Sequence, residues 1–401
     1  MILKDNRAKF IILLLLVFMI GYLYYHTFQK EITEGYTTAI PGLVKKMTAP
    51  YTTGRLDKCL ESYPKADPQF EEIQLTYKNK YFGGREFDLK LSDFYIAGSY
   101  KSYIPCGYTA DIQSYDAIKK VLEMGARVIH LDLYSNESLD NPLVEIRVEK
   151  PMKGEFNKPL QFEKICELIS KNAWLGHNYP LFLYLDIHFT DKYLYQQMAK
   201  HLLTHFKKRL MSQKYGFKRY NMGQVSIKDA LGRVVIILSK YPNDGLLDEL
   251  TNEATSDKHQ YLKIIDYTEA NMNYGGVKAT ETDGVFLVNF NKFNMTFCKH
   301  DPDHKYDNVV TFKNDIENID SSDPRKYGVH SVLAYYNKDD EYIGDYLAYF
   351  KKCSFVVKPD SLRYIPKPKK PIKKQDKRLY YKPITTTVPG IGGLPWLKFN
   401  H

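Results

Sequence analysis

Apolar and polar positions follow two alternating periods along this chain, and the switches between them mark its elements. From about Asp93, "DFYIAGSY" predicts a short strand, "SYDAIKKVLEMG" an amphipathic helix that stops at Gly125, and "ARVIHLDLY" an apolar strand. "PLQFEKICELISKNAW" returns to the helical period, and "YPLFLYLDIH" is a Pro-initiated strand that finishes in Asp186 and His188. "DKYLYQQMAKHLLTHFKKRL" predicts a long helix and "GRVVIILSK" a continuous β-branched strand. Strands that alternate with amphipathic helices imply βα units around a parallel sheet, and near-continuous apolar strands imply burial on both faces. Farther on, "DGVFLVNF", "HSVLAYYN" and "CSFVVKP" predict further strands.

The flanks read differently. Residues 10–29 carry no charge, which gives 20 residues between Lys9 and Lys30. About 20 apolar residues span a bilayer, and Tyr22, Tyr24 and Tyr25 resemble an interfacial aromatic belt. The bulky "YLYYHTF" after the run does not suit a signal-peptidase site, so a retained anchor is expected. Lys4, Arg7 and Lys9 precede the span, whereas Lys30 is followed by Glu31 and Glu34. The positive-inside rule then puts the N-terminus in the cytoplasm and the large domain in a lumen or outside the cell. The sequons at Asn136 and Asn294 are compatible with that side. The expected organisation is a cytoplasmic segment over 1–9, an anchor over 10–29, a polar lead-in over 30–90, a folded domain over 91–365 and a basic tail over 366–401.

The tail alternates Pro and Lys in "PKPKKPIKKQDKR" and cannot pack a core. It accounts for much of the formal charge of +10, with seven Lys/Arg between Lys367 and Arg378 against one Asp. Such a run is drawn to an anionic surface. It has no interleaved aromatic residues, so specific nucleic-acid reading is not expected. The 5 cysteines are scattered with no CxxC pair, which argues against a zinc ribbon, a redox dithiol or a disulfide scaffold. Lys, Asn, Tyr and Ile are abundant, a bias that suits a large DNA virus and hence a virion membrane.

In a barrel of parallel strands the chemistry sits at the C-terminal strand ends, where Asp132 and Asp186 fall. With "FYIAGSYKSYI" at 94–104, "GARVIHLDLY" at 125–134, "YPLFLYLDIH" at 179–188 and "QQMA" at 196–199, the chain resembles the X-box of phosphoinositide-specific phospholipase C. "YGVHSVLAYYN" at 327–337 and "CSFVVKPDSLRY" at 353–364 resemble the end of its Y-box half. The resemblance covers roughly residues 90–365. It implies an α/β fold of the (β/α) TIM-barrel type, here preceded by one transmembrane helix, and phosphoric diester hydrolase chemistry on phosphatidylinositol lipids.

That family cuts its phosphodiester with two histidines and Ca²⁺. Carried over, its first histidine falls on Tyr100 and the adjacent calcium-binding Asn on Lys101. Its Glu-x-Asp pair falls on His130 and Asp132, and its last calcium Glu on Asp186. The second histidine has no counterpart, because no His exists from residue 131 to 176. Tyr100 and His130 are the candidate catalytic positions, and Asp132 and Asp186 the candidate metal ligands. Lys101, Arg127 and Lys240 are the candidate phosphate or headgroup ligands. Ca²⁺ is implied by the resemblance, while Lys101 and His130 at two ligand positions oppose it. The resulting expectation is a membrane-anchored, catalytically impaired phospholipase C-like pseudoenzyme, partnered by a lipid membrane and a phosphoinositide headgroup. The alternatives are a divergent active phosphodiesterase using Tyr100, His130 and Asp186, and a structural viral membrane protein.

Overall fold

The computed structural model describes residues 56–105, 113–135, 144–146, 159–255, 261–268, 271–272, 287–299, 318–369, 385–388 and 397–400. The expected anchor over 10–29 and most of the basic tail lie outside the described residues. No helix among the described residues is long and apolar enough to cross a membrane. The chain divides into two compact units, one reaching to Lys78 and spanning 86–365, the other made of 79–85 and 366–401.

The first unit is built on eight parallel strands. They are β1 (Gly98–Ser99), β2 (Val128–Ser135), β3 (Leu181–Ile187), β4 (Val234–Leu238), β5 (Glu253–Ala254), β6 (Leu262–Thr268), β7 (Met295–Lys299) and β8 (Ser331–Ala334). The neighbours run β5-β4-β3-β2-β1-β8-β7-β6, so β8 closes onto β1 through Leu333↔Gly98 and Ala334↔Ser99. Among the described residues β5 and β6 are not paired, which leaves a nearly closed barrel. The predicted (β/α) barrel is therefore present.

Strand alternation divides the apolar side chains into two sets. Val128, Phe182, Tyr184, Val235, Ile237, Phe297 and Leu333 fill the barrel interior. Ile129, Leu131, Leu183, Leu185, Ile236 and Val332 face the helices outside. This two-sided burial is why the strands read as unbroken apolar runs. The helices carry their own start and stop signals. Ser114 caps α1 (Tyr115–Glu123) by accepting from the Asp116 N–H, and Gly125, at φ +94°, lets the chain turn into β2. Asp191 caps α3 (Lys192–Phe206) from the Tyr193 N–H, and α2 (Phe162–Asn172) packs beside it.

Several expectations are corrected. "DFYIAGSY" is two strands, because Phe94–Ile96 leaves the barrel and pairs antiparallel with Phe355–Val357 to form its floor. Of "DGVFLVNF", residues 287–290 are helical. The polar lead-in contributes to the core, since Tyr63, Ile73 and Leu89 are buried. Cys59 is disulfide-bonded, whereas Cys166, Cys298 and Cys353 are not in disulfides. Asn294 is built into the structure, accepting from Asn221 and donating to the Phe290 carbonyl. In the second unit, Thr385–Val388 pairs antiparallel with Leu397–Asn400.

Candidate functional site at the barrel mouth

The alternation that fills the barrel also sets its mouth. In β2 the inward positions are Val128, His130 and Asp132, and in β3 they are Phe182, Tyr184 and Asp186. The register pairs His130 with Tyr184 and Asp132 with Asp186. Two carboxylates therefore end adjacent strands side by side. Polar atoms of His130, Asp132 and Asp186 all lie within 4.8 Å of one another.

Asp132 is the hub. It is buried, and its Oδ2 accepts the Tyr103 hydroxyl at 2.7 Å. Its Oδ1 is 3.2 Å from His188 Nε2, which is also 3.8 Å from Asp186 Oδ1. The His188 ring stacks on Tyr134, with centroids 4.2 Å apart and planes 4° apart, and keeps 28% of its side chain exposed. Burial alone would raise the Asp132 pKa, but the His130 ring, the His188 hydrogen bond, the Lys101 charge and the Tyr103 hydroxyl together hold it well below the usual carboxylate range. With His130 uncharged, the two hydrogen bonds and Lys101 carry that lowering.

His130 has no exposed surface and lies against Tyr100, with centroids 4.5 Å apart, and Tyr184, at 4.8 Å. Its Nδ1 accepts the Lys101 backbone N–H at 3.2 Å, and its Nε2 has no hydrogen-bond partner. Burial pushes its pKa down to about 4; Asp132 and Asp186 oppose this, and Lys299 and Lys101 reinforce it. Tyr100 is buried too and meets Tyr335 edge-on. Lys101 takes a left-handed φ of +41°, in the turn that bends β1 back over the barrel end. Its ammonium lies 5.6 Å from the Tyr100 ring, and Lys299, at the end of β7, lies 5.7 Å from the same ring.

The seven candidate positions do not all meet. Tyr100, Lys101, His130, Asp132 and Asp186 come together at the mouth, and Lys240 is exposed two residues beyond the end of β4. Arg127 is a correction. It stands at the entry end of β2, 1% exposed, and its guanidinium donates to the Ala173 and Leu122 carbonyls. Burial lowers its pKa to about 10, and its role is to tie helix ends to the sheet. Tyr103 and Lys299 were not singled out from the sequence. Tyr103 lies in a turn 29 residues from its partner, and the strand bearing Lys299 was not predicted. The same-face spacing of Asp186 and His188 was a usable signal for the His188–Asp132 contact.

The donor set does not fit Ca²⁺, which takes about six to eight oxygen ligands. Only Asp132 and Asp186 offer carboxylate oxygens among the carried-over positions, and both Asp132 oxygens already have hydrogen-bonding partners. An imidazole and a lysine stand at the other two positions. No step below is routed through that ion.

A nearly closed parallel barrel with its polar groups at the strand exits defines a (β/α)-barrel protein of the type that places its chemistry at that face. Residues 87–240 match the family model for the X domain of phosphatidylinositol-specific phospholipase C. The chain is 23% identical over 190 residues to phosphoinositide phospholipase C 1 of Arabidopsis thaliana, covering 46% of this chain and 31% of the plant protein. It is 25% identical over 130 residues to 1-phosphatidylinositol 4,5-bisphosphate phosphodiesterase 1 of Candida albicans, covering 30% of this chain and 11% of the yeast protein. The crystal structure of L. pealei PLC21 superposes with a TM-score of 0.55 at 15% identity, over 71% of this chain and 39% of that one. Over this region the chain is similar to phosphoinositide-specific phospholipases C, and it spans less than half the length of each of these three relatives.

Proposed function

We propose that the chain is a membrane-anchored, phospholipase C-like barrel that holds a phosphorylated inositol headgroup at its mouth without the calcium-dependent cleavage its resemblance implies. One observation carries this reading: His130 is sealed inside the barrel, neutral and with Nδ1 tied to the backbone. A catalytic acid must present a proton to the leaving oxygen. His130 and Tyr100 line the mouth from below, and both are buried, so neither offers an exposed proton donor. The cationic groups that remain at the strand exits, Lys240, Lys101 and Lys299, supply the attraction for phosphate. The Cys59 disulfide supports the extracytoplasmic side for the domain, because disulfides persist in oxidising compartments.

A second reading rests on His188. Its ring is partly exposed at the mouth and bonded to the buried Asp132, an arrangement that orients an imidazole for acid–base work. On that reading the barrel is a divergent phosphodiesterase.

The test uses the full chain in detergent. Inositol 1,4,5-trisphosphate is titrated by calorimetry, and inositol phosphate release is followed from mixed micelles of phosphatidylinositol or its bisphosphate, with Ca²⁺ or EDTA. Binding without turnover is expected, and Lys240→Met should weaken it by about tenfold, as for loss of one charge-assisted contact of about 1.5 kcal/mol. Ca²⁺-dependent turnover overturns the proposal. Turnover in EDTA that is lost in His188→Asn establishes the second reading. Neither binding nor turnover leaves a barrel kept for its shape, as in a structural membrane protein.

A further inference from the structure

On the floor of the barrel, away from the polar mouth, a lysine and a histidine are buried together. Lys358 follows the strand Phe355–Val357 and is 2% exposed, and His330, just before β8, is 0% exposed. Lys358 Nζ lies 2.7 Å from the Gly328 carbonyl and 2.6 Å from His330 Nε2. His330 Nε2 is also 3.1 Å from the Ser92 carbonyl, and His330 Nδ1 accepts the Thr296 backbone N–H at 3.0 Å.

These contacts fix the protons. A ring nitrogen that accepts a backbone N–H carries no hydrogen, so the uncharged imidazole carries its hydrogen on Nε2. The Ser92 carbonyl, an acceptor facing Nε2, requires the same tautomer. An imidazolium would turn a second N–H against that of Thr296. An ammonium on Lys358 would press its own hydrogens against the Nε2–H, two donors at hydrogen-bond distance. An amine with a lone pair fits.

We infer that Lys358 is held as an uncharged amine that accepts a hydrogen bond from His330 Nε2–H and donates one to Gly328, forming a proton-sensitive latch on the barrel floor. The latch joins the segment that enters the barrel to the segment that leaves it. Ser92 leads into the strand Phe94–Ile96, whose antiparallel partner leads into Lys358. The Lys358 N–H donates to the Asp93 carbonyl at 2.8 Å, and the Ile96 N–H to the His330 carbonyl at 2.6 Å.

The surrounding charges are consistent with this state. Burial drives the Lys358 pKa well down, with Asp93 the group that pulls it back. Asp93 is a weak counter-charge, because burial pushes its own carboxyl upward, against the Lys90 N–H it accepts and the Arg363, Lys358 and Lys90 charges. The Tyr95 ring is 5.7 Å from Nζ, and its hydroxyl is turned away to the Arg325 carbonyl. Burial, and then any charge on Lys358, also holds His330 well below its usual range.

A lysine whose folded pKa is depressed contributes stability that is fully present above its unfolded pKa, about 10.4, and is lost as pH falls toward the folded value. Between the two values the unfolded chain binds one proton more, so the unfolding constant changes about tenfold per pH unit. The test is pulse proteolysis in urea on the full chain in detergent, at pH 7 and pH 9, for the unmutated protein, Lys358→Met and Lys358→Arg. The unfolding constant of the unmutated protein, taken relative to Lys358→Met, should fall from pH 7 to pH 9, by up to about a hundredfold. Lys358→Arg, which cannot shed its proton, should be far less stable than Lys358→Met. Equal pH dependence of the unmutated protein and Lys358→Met, or an Arg variant as stable as the Met variant, overturns the inference. The Nζ chemical shift in ¹⁵N-lysine-labelled protein needs no variant to fold. An amine-type shift for the buried lysine at pH 8 supports the latch, and ammonium-type shifts for every lysine overturn it.

Discussion

Asp132 owes its position to β2 and its chemistry to the side chains of Tyr103 and His188. Tyr103 and His188 hold its two oxygens, so the carboxylate is satisfied although it is buried. Tyr103→Phe removes a hydrogen bond to a charged acceptor and leaves the rest of the ring packing intact. A loss of about 1.5–3 kcal/mol is expected, read as a lower urea midpoint at unchanged slope. Asp132 is held below its unfolded pKa of about 3.9, so its stabilisation is present above that value and disappears as pH falls below it. Asp132→Asn should therefore be less stable at pH 6 and lose part of the acid sensitivity between pH 4 and pH 2. Asp132 and Asp186 were legible in the sequence because alternation along two apolar strands forces both to the same strand exit. Arg127 was misread because nearness to a motif does not say which end of a strand a residue occupies; it stands before Val128, at the entry.

At the scale of elements, β1 shows how closely the barrel is packed where it closes. A Cβ on Gly98 would lie 2.4 Å from Ser331 Oγ, 2.7 Å from Leu333 Cδ2 and 3.1 Å from Val128 Cβ. The glycine lets β8 and β2 approach on either side. Gly98→Ala should cost about 1–3 kcal/mol by overpacking, measured as a fall in the midpoint of thermal or urea unfolding. The strong periodic elements β2, α2, β3, α3 and β4 were readable because each is long enough to show its period. The elements that were not readable are short or context-dependent. Two-residue β5 has no period to read, and "DFYIAGSY" hides a break at Ala97 where one strand passes from the floor into the barrel. "LVNF" has strand-like residues, yet Leu287 turns one face into the outer core as a helix.

For the barrel as a whole, the architecture is that of solved phospholipase C structures, and its mouth sets two carboxylates among imidazoles and lysines. An acidic cluster that binds a dication is held together by that ion. Here Asp132 is held by a tyrosine hydroxyl and an imidazole, Asp186 lies 3.8 Å from that same imidazole, and Lys101 and Lys299 are nearby. A ligand that binds only the folded state stabilises it by about 2.7 kcal/mol at a hundred times its Kd, so a resident Ca²⁺ site would announce itself in unfolding. The full chain in detergent, melted with millimolar Ca²⁺ and again with EDTA, is expected to give the same midpoint. Asp186→Asn should likewise leave the effect of Ca²⁺ at zero. A midpoint raised by Ca²⁺ and restored to its EDTA value in Asp186→Asn would mean that the mouth gathers further oxygen ligands around the ion, and would return Ca²⁺ to the chemistry of this barrel.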